Sequence, residues 1–159
     1  MSSTFLLDEE ATLQYAARLA RALPVSTQPL IVYLHGDLGA GKTTLARGML
    51  RALGETGPVR SPTYGLLAEY TPPAGRVLHL DLYRLRVPEE LHALGLADYL
   101  PGSHLWLIEW PELAQGQGLP TADAELYLTV EGAGRRLRIE PRSPLGARWA
   151  AADSSADVG

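Results

Sequence analysis

Lys42 is the only lysine in the chain; every other strongly basic side chain is arginine. It stands in Gly36-Asp37-Leu38-Gly39-Ala40-Gly41-Lys42-Thr43, which fits the phosphate-binding pattern G-x-x-x-x-G-K-[ST]. That chemistry needs a compact charge on a flexible stem, able to reach between the β- and γ-phosphates. A guanidinium fork is wider and stiffer. Gly36, Gly39 and Gly41 permit backbone angles and close approaches that a Cβ would block, so successive N–H groups can cradle phosphate oxygens at a helix N-terminus. The contacting segment is then Asp37, Leu38, Gly39, Ala40, Gly41, Lys42, Thr43 and Thr44. Thr43 is expected to place its hydroxyl on Mg²⁺. Thr44 either touches the α-phosphate or only begins the helix.

These residues need particular elements around them. Leu30-Ile31-Val32-Tyr33-Leu34 reads as a buried parallel strand before the loop. After it, Leu45, Met49 and Leu53 share one helical stripe and Gly54 is suited to cap the helix. A nucleotide site of this kind also needs an acid near the metal, at the carboxyl end of a neighbouring strand. Asp81 ends Val77-Leu78-His79-Leu80, and Glu109 ends Leu105-Trp106-Leu107-Ile108. A carboxylate there is costly unless it is used or paired; the plain alternative is pairing with an arginine such as Arg84.

Elsewhere, Asp8 is expected to cap a first helix whose buried stripe is Leu13, Ala16, Ala17, Ala20 and Leu23. Leu66–Tyr70 and Val77–Leu82 flank a Pro/Gly turn and read as an antiparallel hairpin. Pro88-Glu89-Glu90 starts a short helix. Ala124–Val130 and Arg136–Glu140 are alternating strands across Gly132-Ala133-Gly134, with Arg135, Arg136 and Arg138 on a solvated edge. The fold class is α/β, of the P-loop NTPase type, with a mostly parallel sheet, flanking helices and antiparallel hairpin additions. One domain is expected over residues 1–140. The small-residue tail, 141–159, is expected to be disordered.

Composition narrows the function. Net charge is −4 over 159 residues, which argues against independent nucleic-acid binding. There are no cysteines, so neither disulfides nor thiolate metal sites are available. His35, His79, His92 and His104 lack metal-ligand spacing. No apolar run approaches the roughly 20 residues of a membrane span, and no leader is evident, so a cytoplasmic protein is expected. There is no asparagine, which excludes the Asn-Lys-x-Asp motif of guanine-selective GTPases.

In chain order, Gly36 to Thr44, Ser61-Pro62-Thr63-Tyr64, His79-Leu80-Asp81-Leu82-Tyr83-Arg84 and Glu109-Trp110-Pro111 together resemble the TsaE (YjeE) family of small bacterial P-loop ATPases. The resemblance runs from about Phe5 to Glu140. It implies an ATPase with ATP and Mg²⁺ as cofactors; no insertion domain that would supply an arginine finger in cis is evident, though Arg60 or Arg84 could do so, and the activity is expected to be weak alone and partner-dependent. It also implies a supporting role in forming N6-threonylcarbamoyladenosine on tRNA beside the anticodon, with TsaD and TsaB as partners and tRNA met only through the complex. By the same resemblance Lys42 and Thr43 bind phosphate and metal, Thr63 senses the γ-phosphate or metal, Asp81 is a switch acid, and Glu109 is the metal-side acid. Trp110 is either a stacking surface for a base or partner, or a core residue. The competing reading is a small-molecule P-loop kinase, disfavoured because the C-terminal half reads as strands rather than as a helical lid.

Overall fold

The computed structural model describes residues 3–62 and 66–156. Among these described residues seven strands form one sheet: β1 (Ser3–Leu6), β2 (Leu30–His35), β3 (Leu67–Tyr70), β4 (Arg76–Asp81), β5 (Ser103–Glu109), β6 (Ala124–Glu131) and β7 (Gly134–Pro141). Three helices, α1 (Glu9–Arg21), α2 (Lys42–Leu53) and α3 (Pro144–Ala156), and short 3-10 turns complete the architecture. The strand order is β1-β7-β6-β2-β5-β4-β3. Its centre, β6-β2-β5-β4, is parallel, while the β3–β4 and β6–β7 hairpins and the β1–β7 pair are antiparallel. This is the expected α/β sheet with antiparallel additions. Among the described residues no helix is long and apolar enough to cross a membrane.

Strand alternation divides the core. Leu30, Val32, Leu34, Val77, Leu105 and Leu107 join Leu45, Met49 and Leu50 of α2 in one cluster, whereas Ile31, Leu78, Leu80, Trp106 and Ile108 build the other. Residues His79, Asp81 and Glu109 fall on the α2 side of that alternation.

Two expectations fail, and they fail together. Where the tail is described it is ordered: residues 144–156 form α3. Ser143 starts it, its hydroxyl accepting from Gly146 N at 3.0 Å and donating to Asp123 at 2.7 Å, with Pro144 at the first helical position. Trp149 is fully buried and donates its indole N–H to the Leu19 carbonyl at 2.9 Å, a group in the last turn of α1 where carbonyls lack intrahelical donors. Tyr15 donates to Asp153 at 2.8 Å; burial first, then that carboxylate, pushes the phenol up to about 12. The buried stripe of α1 is accordingly Thr12, Tyr15, Ala16, Leu19 and Ala20, rotated from the expected one, with Leu13 and Ala17 only half-buried. The helix packs against α3 as well as α2, so one apolar face does not account for it. Asp8 does cap α1, accepting from Ala11 N at 2.8 Å.

The arginine cluster on β7 also divides. β7 is not the edge, because β1 pairs beyond it. Arg136 and Arg138 do lie toward solvent, bonded to Glu131 and Glu140. Arg135 shares the inner face with Leu137 and Ile139 and turns toward the loop after β2.

Candidate functional site

The loop between β2 and α2 carries the geometry the motif requires. Gly41 caps α2 at φ +106°, a left-handed conformation that a side chain would strain. At Gly36 a Cβ would stand 2.7 Å from the Leu128 carbonyl oxygen, so β6 can pass this close only against glycine. Ala40 N donates to Asp37 O at 3.0 Å and Leu45 N to Gly41 O at 2.9 Å, which closes the loop onto the helix. Arg135 donates to the carbonyls of Ala40 at 3.0 Å and Gly39 at 3.1 Å. Tying those carbonyls outward favours the loop's N–H groups facing inward.

Lys42 is 4% exposed. Its ammonium donates to the Gly36 carbonyl and lies 3.5 Å from the centroid of the Trp110 ring, a cation–π contact of roughly 0.5–2 kcal/mol. Burial pushes its pKa below the usual lysine range, opposed by Glu109, Glu112, Asp81 and Asp37. Trp110 therefore faces the loop lysine, with Tyr83 at 5.3 Å between ring centroids. It reaches that position by leaving β5 at φ +58°, an uncommon conformation for a bulky residue.

Thr43 lies at the centre of the polar contacts. Its hydroxyl is 2.8 Å from Ser61 Oγ and donates toward Glu109 at 3.1 and 3.3 Å. Glu109 is 2% exposed. Its other partner is His79, fully buried, with Nε2 at 2.6 Å. Asp81 is the register partner of Glu109 across β4 and β5 and accepts from Tyr83 N at 3.0 Å. Burial raises the Asp81 carboxyl above its usual range and nearby Glu109 adds to the effect, while the Tyr83 N–H bond opposes it. Neither acid takes the arginine pairing that was the plain alternative.

These groups line one recess of about 230 Å³, bounded by Leu38, Gly39, Gly41, Lys42, Thr43, Thr44, Ser61, Asp81, Tyr83, Glu109 and Trp110. A second hollow of about 140 Å³ adjoins it past Thr44, between Thr12 at the start of α1 and Arg135 with the β6–β7 turn. A larger cavity, about 680 Å³, lies at Tyr33, His35, Glu125 and Arg142. Three of its charged or titratable groups are occupied with one another, Glu125 bonding both His35 at 2.8 Å and Arg142 at 2.6 Å. The chemistry-bearing side chains are in the first recess.

The expected residues Leu38 to Thr44, Asp81, Glu109 and Trp110 thus come together, although Ala40 turns its side chain into the core and Asp37 stands exposed on the loop. Thr63 lies outside the described residues. Sequence reasoning missed His79, Arg135 and Thr12. Period-two alternation puts His79 on the face of Asp81 and Arg135 on that of Leu137, but the groups they meet are set by strand pairing. The oxygen donors of Thr43, Ser61 and Glu109 suit a hard divalent cation completed by phosphate oxygens and water. Magnesium is usually held that way rather than in an all-protein cage.

A family model described as threonylcarbamoyl adenosine biosynthesis protein TsaE matches residues 6–138. The tRNA threonylcarbamoyladenosine biosynthesis protein TsaE of Haemophilus influenzae is 41% identical over 144 residues, covering 89% of this chain and 90% of the relative. That of Bacillus subtilis is 38% identical over 119 residues, 75% and 72% of the two chains. Among solved structures, YdiB of Bacillus subtilis superposes with a TM-score of 0.80 at 26% identity, covering 98% of this chain and 95% of the other.

Proposed function

The chain belongs to the TsaE family of threonylcarbamoyl adenosine biosynthesis proteins, and on that premise we propose that it binds and hydrolyses ATP with Mg²⁺ to support N6-threonylcarbamoyladenosine formation on tRNA. The observation that carries this reading is the Thr43 hydroxyl, held between Ser61 and the buried carboxylate of Glu109 beside a buried loop lysine. Bound Mg²⁺ would neutralise charge shared by the β- and γ-phosphates. Lys42 exchanges the Gly36 carbonyl for phosphate oxygens. The loop N–H groups orient the polyphosphate, Thr43 and Glu109 hold the metal side, and the nucleoside extends past Thr44 toward the adjoining hollow. Asp81, made more basic by its burial, orients the attacking water. Trp110 covers the lysine and excludes bulk water from its charge.

The direct test is phosphate release in the presence of the partner proteins. Glu109→Gln is expected to slow it on the order of 10²-fold, and Asp81→Asn by at least about tenfold. Normal rates in both variants would remove the two acids from the site and the reading with them.

The partners, TsaD and TsaB, follow from the family resemblance; slow turnover by the chain alone follows from the lack of an evident insertion to supply an arginine finger in cis. If nucleotide and partner favour the same ordered state, each must promote binding of the other equally. Partner affinity is therefore expected to be about 5- to 150-fold higher with a non-hydrolysable ATP analogue than with ADP or no nucleotide. Equal affinity in all three states, together with full-speed hydrolysis by the lone chain, would contradict the coupling.

A further inference from the structure

His79 has no place in the nucleotide chemistry above, yet its surroundings are those of a built contact. It is fully buried on the α2 side of β4, among positions otherwise filled by Val77, Leu105 and Leu107. A leucine would fill that space at no polar cost. The imidazole instead places Nε2 at 2.6 Å from Glu109 Oε2, while Nδ1 is buried with no hydrogen-bond partner among the described residues. The acceptor fixes the donor: a carboxylate oxygen at that distance accepts a hydrogen bond from Nε2–H, and in the neutral ring Nδ1 is then a bare lone pair. An unpartnered lone pair deep in the core is a standing cost, and the single bond to Glu109 is the feature that offsets it.

The register explains why this bond can act on the site. His79 pairs with Leu107 across β4 and β5, and Asp81 with Glu109. His79 is thus the diagonal neighbour of Glu109 on the same face, within reach of a long side chain. Held there, the Glu109 carboxylate keeps a fixed orientation and still meets Thr43 Oγ1 at 3.1 Å. We infer that His79 is a positioning residue, whose Nε2–H fixes the carboxylate of Glu109 so that it and Thr43 present a preformed oxygen pair to the divalent cation of a metal–nucleotide complex. The inference rests on the function proposed above. Outer-sphere partners of this kind typically affect metal affinity or activity by 10- to 100-fold.

The test compares binding of a non-hydrolysable ATP analogue with Mg²⁺ and with a chelator, in wild type, His79→Leu and His79→Gln, alongside thermal melts. Leucine fills the space without a donor; glutamine carries an amide N–H to about the position of Nε2. In the wild type, Mg²⁺ strengthens binding. For His79→Leu that gain is expected to shrink by about 10- to 100-fold while chelator-state affinity stays within a few-fold, and His79→Gln is expected to restore most of it. A purely structural histidine would lower both affinities alike. A folded His79→Leu with the full Mg²⁺ gain overturns the assignment. So does a folded His79→Gln that loses the gain, which decides the matter should the leucine variant fail to fold. A wild-type chain that binds no analogue under either condition overturns the proposed ATPase itself, a result distinct from either.

Discussion

Lys42→Ala is expected to lower partner-supported ATP hydrolysis by about 10²- to 10³-fold, the usual cost of removing one preorganised donor from developing transition-state charge. Lys42→Arg is expected to fail almost as badly. The ammonium lies in a narrow position, against the Gly36 carbonyl and 3.5 Å from the Trp110 centroid, and only 4% of the residue is exposed. A guanidinium carries its charge over a wider plane on a stiffer head. Entering this space, it would have to displace the indole ring or pull out of the loop. Either movement takes the charge away from the phosphates. The fold should persist, because the apolar positions of α2, Leu45, Met49 and Leu50, remain buried without it. Phosphate release and a thermal melt of both variants check the argument. Near-normal hydrolysis by Lys42→Arg would show that the site needs charge alone and not the shape of lysine.

What could be read from the residues depended on how local the physics was. Lys42, Thr43 and the glycines were legible because the phosphate loop is a contiguous motif whose chemistry fixes each residue type. Asp81 and Glu109 were legible because an acid ending an apolar strand calls for an explanation. In the sequence Trp110 reads equally as core and as site; only the left-handed turn at the end of β5 aims it over Lys42. His79 and Arg135 depend on pairing between distant segments. A histidine in an apolar strand reads as core until the neighbouring strand places Glu109 diagonally beside it. An arginine run reads as surface until the sheet order shows one member facing inward onto Gly39 and Ala40.

The sheet was readable for a similar reason, since its parallel strands are unbroken apolar runs. The end of the chain was not. Ser143-Pro144 is a sound helix start, but the alanines and serines beyond it resemble a solvated tail. Over residues 144–153 the stripe that α3 buries is sparse, namely Gly146, Trp149 and Asp153. At Gly146 a Cβ would stand 1.8 Å from the Asp123 carbonyl oxygen, so the missing side chain marks close approach to β6 rather than flexibility. Asp153 is buried because Tyr15 and Arg18 reach it at 2.8 and 3.4 Å. Neither contact has a local signature.

Trp149→Ala should show how much the fold depends on that helix. The side chain is fully buried within the cluster that includes Tyr15, Ala16 and Leu19, and its N–H satisfies the Leu19 carbonyl. Truncating a buried tryptophan costs about 3–5 kcal/mol through lost transfer energy and the cavity left behind. At about 2–4 °C per kcal/mol for a chain of this size, the melting temperature should fall by roughly 6–20 °C. The loop, Thr43 and Glu109 belong to other elements, so the damage should be to stability rather than chemistry. Mg²⁺ with a non-hydrolysable ATP analogue at 100 times its dissociation constant should then return about 2.7 kcal/mol to wild type and variant alike. Melts of both proteins with and without the analogue separate the cases. An unchanged melting temperature would mean that α3 is not part of the cooperative core. A lower one with no recovery on adding the analogue would mean that the helix also supports the nucleotide site, through α1 and the hollow beside Thr12 and Thr44.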